Sequence, residues 1–261
     1  MQENRENANI DAGLGFIWRI SVKMKLPRRN FLHLAASRIP AYWHEVAFGW
    51  KATRTWGDHM ALLLHTIQFH IRNGFGDAND SRRTITIDLW IGRDRPTTLT
   101  LRPFAGDLFV LYEVLAFKVY HIAPSLLPTG NVRVIVDCGA NSGANIGITS
   151  LFLAARYPCA KILSVEPHPE NFALLKANVE TVPRILPIRA CVTGTPQSTV
   201  QFTADQAAWG NRIATDGHSV LVPALTIEEL CNQHGIEKID LLVAQEGRPP
   251  DTYMVTASRP L

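Results

Sequence analysis

The sequence predicts an α/β fold built on a parallel β-sheet and preceded by a mixed helical and β-hairpin amino-terminal region. Two observations from residue 131 onward predict the sheet. Apolar runs alternate with segments of helical periodicity, and several of these runs are continuous rather than alternating. Continuous apolar runs are typical of parallel strands buried on both faces. Strands that alternate with helices build one such sheet, with helices on both sides and ligands at the carboxyl ends of the strands.

Four strands are expected in this part of the chain, at residues 132–137, 161–166, 184–192 and 239–244. The third contains Pro187, which cannot donate a ladder hydrogen bond, so this strand is expected near an edge or with an irregularity. Before the fourth strand, Thr226 and Glu229 have the spacing of a capping box, and this pair predicts the start of a helix.

The residues before the sheet show two different patterns. Apolar spacing predicts a helix from about Asp58, as its cap, to Arg72. Farther on, Thr alternates with apolar residues on both sides of a GRDRP turn, which predicts a β-hairpin, and a lead-in helix capped by Asp107 follows. The predicted divisions are an arm and helical region at 1–80, the hairpin and lead-in helix at 81–130, the sheet domain at 131–244 and an irregular tail at 245–261.

Composition excludes several classes of protein. The 26 Lys and Arg against 23 Asp and Glu give a net charge of +3, too small to collect nucleic-acid phosphates, so no nucleic-acid partner is expected. The most apolar windows are shorter than the roughly 20 residues that span a bilayer, and residues 1–12 lack an apolar run after a basic start, so no export signal is expected. We therefore expect a cytoplasmic protein with no transmembrane segment. The basic run at 23–29 stands beside an aromatic-rich segment; its charges are expected to be solvated, with anionic headgroups or an acidic ligand as the alternative partner.

No metal site is expected. The histidines His59, His65 and His70 are six and five residues apart, so no two of them share a helix face as an i, i+4 metal pair would. The cysteines form no CxxC pair. All four, Cys138, Cys159, Cys191 and Cys231, are expected to be buried thiols.

The segment VIVDCGANSGANIGITS, residues 134–150, is the most informative one for function. It is a buried strand ending in Asp137, then a glycine-rich turn, then a helix. Glycines let the backbone approach a ligand, and a helix start supplies free N–H groups. An acid at the strand end disfavours a pyrophosphate but can receive an ammonium group. Glu166 ends the next strand, where a carboxylate can accept hydrogen bonds from ribose hydroxyls. Together, Asp137 and Glu166 favour S-adenosylmethionine over NAD as the cofactor.

At these residues the chain resembles the FkbM family of S-adenosylmethionine-dependent methyltransferases. The similar segments are DCGAN at 137–141, NIGITSLF at 145–152, AKILSVEPHPENFALLKANV at 160–179 and LTIEELCNQHGIEKIDLL at 225–242, and RPFAGDLFVLYEVL upstream is also similar. The resemblance implies a Rossmann-like sheet of the class I methyltransferase type. It also implies methyl transfer to a hydroxyl of a sugar or other secondary metabolite, so the expected partner is a small-molecule or saccharide acceptor.

The resemblance also implies a cofactor site. The residues it assigns to the cofactor are Asp137, Gly139, Ala140, Asn141, Gly143 and Glu166. The turn repeats the GAN unit, so the glycines that hold the cofactor could be Gly139 with Gly143, or Gly143 with Gly147. A hydroxyl acceptor needs a general base, and the candidates are Asp205, His218, Asp240 and Glu246, with Trp209 as a candidate platform for a sugar or adenine ring.

After residue 242 the chain departs from the family pattern, and the carboxyl-terminal strands of the fold are expected to be missing. Two other functions are therefore kept open. One is an NAD-linked oxidoreductase that uses the same glycine-rich turn. The other is a truncated, non-catalytic fragment that retains the cofactor half-site.

Overall fold

The computed structural model describes residues 17–23, 31–75, 83–92, 95–117, 131–138, 146–203, 219–245 and 252–258. The helices in these ranges are α1 (Phe31–Ala52), α2 (Trp56–Phe75), α3 (Asp107–Leu111), α4 (Ile148–Arg156), α5 (Pro169–Val179) and α6 (Ile227–Gln233). One π-helical turn, Tyr112–Ala116, continues α3. The strands are β1 (Ile17–Lys23), β2 (Ile85–Leu89), β3 (Thr97–Leu101), β4 (Val134–Cys138), β5 (Lys161–Val165), β6 (Ile185–Ile188), β7 (Cys191–Val192), β8 (Thr199–Thr203), β9 (Ser219–Leu225), β10 (Leu241–Gln245) and β11 (Thr252–Ser258).

A six-stranded sheet in the order β1-β11-β10-β4-β5-β6 forms the centre of the fold. The four strands from β10 to β6 run parallel to one another. They lie in the four segments in which parallel strands were expected, so the mixed α/β fold with a parallel sheet is confirmed. Helices α4 and α5 connect β4 to β5 and β5 to β6.

Both faces of this sheet are buried, as the continuous apolar runs predict. Ile135 and Ile162 belong to a large apolar cluster on one face, which also contains residues of α4 and α5. Their neighbours Val136 and Leu163 belong to a second cluster that contains Leu230 of α6. Successive side chains of a strand point to opposite faces, so each of these strands contributes to both clusters.

The third predicted strand, 184–192, is two strands in the structure. Its first half, β6, is an edge strand of the large sheet and contains Pro187. Its second half, β7, pairs in parallel with β9 in a separate sheet of order β7-β9-β8. Pro187 was expected to mark an edge or an irregularity, and the chain shows both.

The tail differs from its prediction. Residues 245–261 were expected to be irregular, whereas Thr252–Ser258 forms β11, antiparallel to β10. Strand β1 then pairs antiparallel with β11 from Ile17 to Lys23. The sequence YMVTAS has four apolar residues but no strict alternation, and an antiparallel strand beyond a parallel sheet needs no continuous apolar run. Strand β1 did have a local signal, which the sequence prediction missed, because WRISVK at 18–23 alternates apolar and polar residues.

The amino-terminal region is a pair of helices followed by an antiparallel strand pair. Strands β2 and β3 pair from Ile85↔Leu101 to Leu89↔Thr97, within the segment where a hairpin was expected. Helix α2 starts at Trp56, earlier than predicted, because Thr55 Oγ1 accepts a hydrogen bond from the backbone N–H of Asp58 at 3.1 Å. Thr55, and not Asp58, therefore caps this helix. One predicted cap is confirmed, since Thr226 and Glu229 form a complete capping box at α6.

Across the described residues, no helix combines the length and the apolar character needed to cross a membrane.

Candidate functional site

Asp137 lies near the carboxyl end of β4, one of the two innermost strands of the large sheet, and is almost fully buried. Ser150, in the first turn of α4, donates its hydroxyl to Asp137 Oδ2 at 2.5 Å, and Ser150 Oγ also lies 2.7 Å from Ser164 Oγ on β5. Both serines are fully buried. The carboxylate is therefore oriented by the helix that follows the glycine-rich turn and by the neighbouring strand.

Glu166 directly follows β5 and is also buried. Its Oε1 accepts a hydrogen bond from the backbone N–H of His168 at 2.9 Å and a longer one from Asn171 Nδ2 at 3.3 Å. Because β4 and β5 are parallel neighbours, with Asp137 paired to Ser164, the two acids lie at the same edge of the sheet. Adjacent strands are about 5 Å apart, so one small ligand can reach both carboxylates.

A buried ion pair supports Glu166 from the segment before the sheet. Arg102 donates to Asp107 from its backbone N–H at 2.7 Å, from Nε at 3.0 Å and from Nη2 at 3.1 Å. The same Nη2 donates to Asn171 Oδ1 at 2.7 Å. Asn171 in turn donates to Glu166, so a continuous set of polar contacts joins the end of β3 to the acid at the end of β5.

This ion pair corrects one prediction and adds residues that sequence reasoning missed. Asp107 was expected to cap α3, but the residue before the helix is Gly106 with φ of 90°, and the Asp107 side chain is used by Arg102. Burial raises the pKa of Asp107, and the bonds from Arg102 oppose this rise. The signal that could have found the pair is the spacing of Arg102 and Asp107 around a strand end. The contact with Asn171 spans 69 positions and has no local signal.

Asn178 and Gly147 fix the end of the glycine-rich turn. Asn178 Nδ2 donates to the backbone carbonyls of Ile146 at 2.8 Å and Thr100 at 2.9 Å, and its Oδ1 accepts from Thr100 N–H at 2.8 Å. Gly147 has φ of 97°, and a Cβ there would lie 3.0 Å from Val179 Cγ1. Both the backbone conformation and the close approach of α5 therefore require glycine at this position.

His168 has a buried ring nitrogen that forms no hydrogen bond with any described residue. The residue is 8% exposed, and its Nδ1 makes no hydrogen bond there. Burial lowers the pKa of His168, and the positive charges of Arg102 and Arg189 lower it further while Glu170 opposes them. The imidazole is therefore neutral near pH 7. A buried polar atom without a partner is unusual in a folded protein, and this one stands two residues after Glu166.

Apart from Asp240, the predicted site residues divide into two groups. Asp137 and Glu166 are brought together at one edge of the sheet. Outside the described residues lie Gly139, Ala140, Asn141, Gly143, Asp205, Trp209, His218 and Glu246. Their roles remain predictions.

Asp240 lies at the opposite end of the sheet. It directly precedes β10, and its Oδ2 accepts hydrogen bonds from the backbone N–H groups of Arg133 at 2.7 Å and Val134 at 3.1 Å, where β4 begins. Asp137 is three residues farther along β4, roughly 10 Å at the usual rise of a strand. The placement of Asp240 argues against a role as the general base. Its hydrogen bonds to the start of β4 give Asp240 a structural role.

We expect Asp240→Ala to lower the free energy of unfolding by about 1 kcal/mol near pH 7, because two backbone donors lose their acceptor. Burial alone raises the pKa of Asp240, but hydrogen bonds from Arg133 and Val134 and the ammonium of Lys238 outweigh it and hold the pKa below its usual value of 3.8. The contribution of Asp240 to the free energy of unfolding is therefore fully present above about pH 3.8, and it is lost as the pH falls through the lowered pKa of the folded state. Urea unfolding of both proteins should show the difference shrinking toward acid. A difference independent of pH would contradict this role.

The cysteines are only partly as expected. Cys138 and Cys191 are buried and Cys231 is half-buried, but Cys159 is exposed. Burial raises the pKa of Cys138, Cys191 and Cys231. These three thiols are therefore protonated at neutral pH and unreactive as nucleophiles.

A parallel sheet with two buried acids at the carboxyl ends of adjacent strands is an α/β arrangement in which ligands usually bind at that edge. Part of the chain is similar to a known protein family. Residues 137–244 match the sequence model of the Methyltransferase FkbM domain. Over this segment the chain is similar to the FkbM methyltransferase domain.

Part of the chain is also similar to a curated methyltransferase. The methyltransferase sdnD of Sordaria araneosa is 34% identical over 90 residues, which are 34% of this chain and 32% of that protein. The aligned part of the chain thus spans about a third of the length of this relative. No solved structure matches the chain.

Proposed function

We propose that the protein transfers a methyl group from S-adenosylmethionine to a hydroxyl group of a sugar or other secondary-metabolite acceptor. The observation that carries this proposal is the pair Asp137 and Glu166, buried at one edge of the sheet inside the segment that matches the FkbM domain. The FkbM match supports methyl transfer. The identity of the donor and of the acceptor rests on the chemistry of the pair and on the family resemblance.

The residues fit the proposed cofactor. Asp137 offers a carboxylate to the ammonium of the methionine end, and Glu166 offers one to the ribose hydroxyls. The unpartnered Nδ1 of His168 is a third polar group next to Glu166 that a nucleoside could satisfy. The proposed remainder of the cofactor site is Gly139, Ala140, Asn141 and Gly143.

Methyl transfer to a hydroxyl requires two contributions from the protein. The cofactor supplies an electrophilic methyl group on a sulfonium, so the protein has to position the acceptor oxygen in line with the bond that breaks. The acceptor must also lose its proton to a group within hydrogen-bond reach. With Asp240 at the far end of the sheet, Asp205, His218 and Glu246 remain as proposed bases.

Thermal unfolding with and without ligands tests the proposed cofactor. A ligand that binds only the folded state stabilises it, by about 2.7 kcal/mol at a hundred times its Kd. We expect S-adenosylmethionine to raise the Tm and NADH to leave it unchanged. A rise with NADH alone would favour an NAD-linked oxidoreductase, and a cooperative melt that responds to neither ligand would favour a non-catalytic fragment. Either result contradicts the proposal.

The proposed partner is a small-molecule or saccharide acceptor, with no nucleic-acid partner. We also propose a cytoplasmic location, which the four unpaired cysteines support, because disulfides are rare in reducing compartments.

A further inference from the structure

Asn171 lies between a buried cation and a buried anion. It belongs to the first turn of α5 and is almost fully buried. Arg102 Nη2 donates to Asn171 Oδ1 at 2.7 Å, and Asn171 Nδ2 donates to Glu166 Oε1 at 3.3 Å. A guanidinium has no acceptor, and an ionised carboxylate has no donor. Only one orientation of the amide satisfies both neighbours, so Arg102 determines that a donor faces Glu166.

Arg102 is itself held in one position. It is buried, and its Nε and Nη2 donate to the two carboxylate oxygens of Asp107 at 3.0 and 3.1 Å. Two parallel hydrogen bonds of this kind fix the plane of a guanidinium. The bond to Asn171 therefore comes from a rigid group that lies outside α5.

A second asparagine holds α5 against the same strand. Asn178 is seven residues after Asn171, or about two helical turns, so both side chains leave the same face of α5. The Asn178 side chain makes hydrogen bonds with the backbone N–H and carbonyl of Thr100 at 2.8 and 2.9 Å. Thr100 lies in β3, and Arg102 directly follows this strand. The end of β3 therefore sets the position of the helix that carries Asn171.

The start of α5 orients the carboxylate of Glu166. Its Oε1 accepts hydrogen bonds from the backbone N–H of His168, the residue before α5, and from Asn171 Nδ2. Two donors on one oxygen restrict the rotation of the carboxylate. A side chain that is already ordered loses less conformational freedom when a ligand binds, and this raises the affinity.

We propose that Asn171 is a positioning residue for Glu166, and that Arg102 and Asp107 extend the cofactor site to a segment that precedes the FkbM match at 137–244. The inference rests on the proposed function, which gives Glu166 the ribose of the cofactor as its ligand. Asn171 and Arg102 act on affinity through the carboxylate, without contacting the ligand themselves. The cofactor site therefore needs residues from before the parallel sheet as well as from within it.

The variant Asn171→Asp tests this role because it separates the two contacts of Asn171. Its carboxylate can still accept from Arg102, so the fold should persist, but a negative charge replaces the donor to Glu166, and like charges repel. We expect calorimetric titration to show binding at least about tenfold weaker for both S-adenosylmethionine and 5′-methylthioadenosine, which share the ribose. Asn232→Asp adds the same charge at an exposed position of α6 and should leave both affinities unchanged.

A double-mutant cycle distinguishes a positioning role from a merely structural one. If Asn171 acts through Glu166, then Asn171→Asp should change the affinities of Glu166→Gln by no more than about twofold, because no charge is left at position 166 to be displaced. Asn171→Ala removes both contacts without adding a charge. It should also weaken both ligands, and it gives the same cycle if Asn171→Asp does not melt cooperatively.

Two results would overturn the positioning role and leave the proposed function standing. One is unchanged affinity in folded Asn171→Asp, and the other is an equal loss of affinity with and without Glu166→Gln. If the folded, unmodified protein bound neither ligand, the proposed function itself would fail, and the positioning role would fail with it.

Discussion

Arg102→Met is expected to lower the free energy of unfolding by about 3–5 kcal/mol, the usual cost of removing one partner from a buried ion pair. The Asp107 side chain is fully buried and receives three hydrogen bonds from Arg102. In the variant, only the backbone N–H of residue 102 still donates a hydrogen bond to Asp107. The carboxylate would then be left largely uncompensated in the interior, and Asn171 would lose the donor that holds its Oδ1.

Denaturant unfolding measures this effect, and the chain offers a matched control. Arg54 and Asp88 also form an Arg–Asp pair, at 3.3 Å, but the Arg54 side chain is 56% exposed. Arg54→Met should therefore cost at most about 1 kcal/mol. The double variant Arg102→Met/Asp107→Leu should regain part of the loss, because it removes the stranded charge as well. If Arg102→Met and Arg54→Met lowered the free energy of unfolding by similar amounts, the expected stabilising role of the buried Arg102–Asp107 pair would be contradicted.

The second large effect is expected on ligand binding. Asp137→Asn should weaken binding of S-adenosylmethionine by about 10- to 100-fold, since a hydrogen bond between charged groups contributes about 1.5–3 kcal/mol. Asparagine has nearly the same shape as aspartate, and its amide oxygen can still accept from Ser150 Oγ, so the fold should persist. 5′-Methylthioadenosine has the same ribose and adenine but no ammonium group. Its affinity should therefore change little in this variant.

Glu166→Gln is the complementary change. The proposed ribose contact is common to both ligands, so this variant should weaken both of them to a similar degree. Glutamine can still accept through its amide oxygen from His168 N–H, which now contacts Glu166 Oε1. A circular dichroism spectrum and melt of each variant, compared with the unmodified protein, would separate a loss of ligand binding from a loss of fold.

Features of the fold that depend on local pattern were predictable from the sequence. The four parallel strands were found because a strand buried on both faces must be apolar along its whole length. Asp137 and Glu166 were found because each stands next to or just beyond the end of such a strand, where ligands of parallel sheets bind. The Thr226–Glu229 capping box is likewise a pattern of two residues within one turn of helix.

Features that depend on distant contacts were not predictable in this way. Asp240 is an exception, because its position at the start of the fourth predicted strand is a local feature that places it at the other end of the sheet from Asp137. Strands β1 and β11 pair across almost the whole length of the chain. The contacts of Asn171 with Arg102 and of Asn178 with Thr100 join segments separated by 69 and 78 positions. No periodicity records such pairs.

The most direct test of the proposed cofactor site is a calorimetric titration of the unmodified protein, Asp137→Asn and Glu166→Gln with S-adenosylmethionine and with 5′-methylthioadenosine. The predicted result is that the unmodified protein binds both ligands, that Asp137→Asn loses affinity for S-adenosylmethionine alone, and that Glu166→Gln loses affinity for both. If the folded, unmodified protein bound neither ligand, or if Asp137→Asn weakened both ligands equally, the assignment of Asp137 to the methionine end and Glu166 to the ribose would be contradicted.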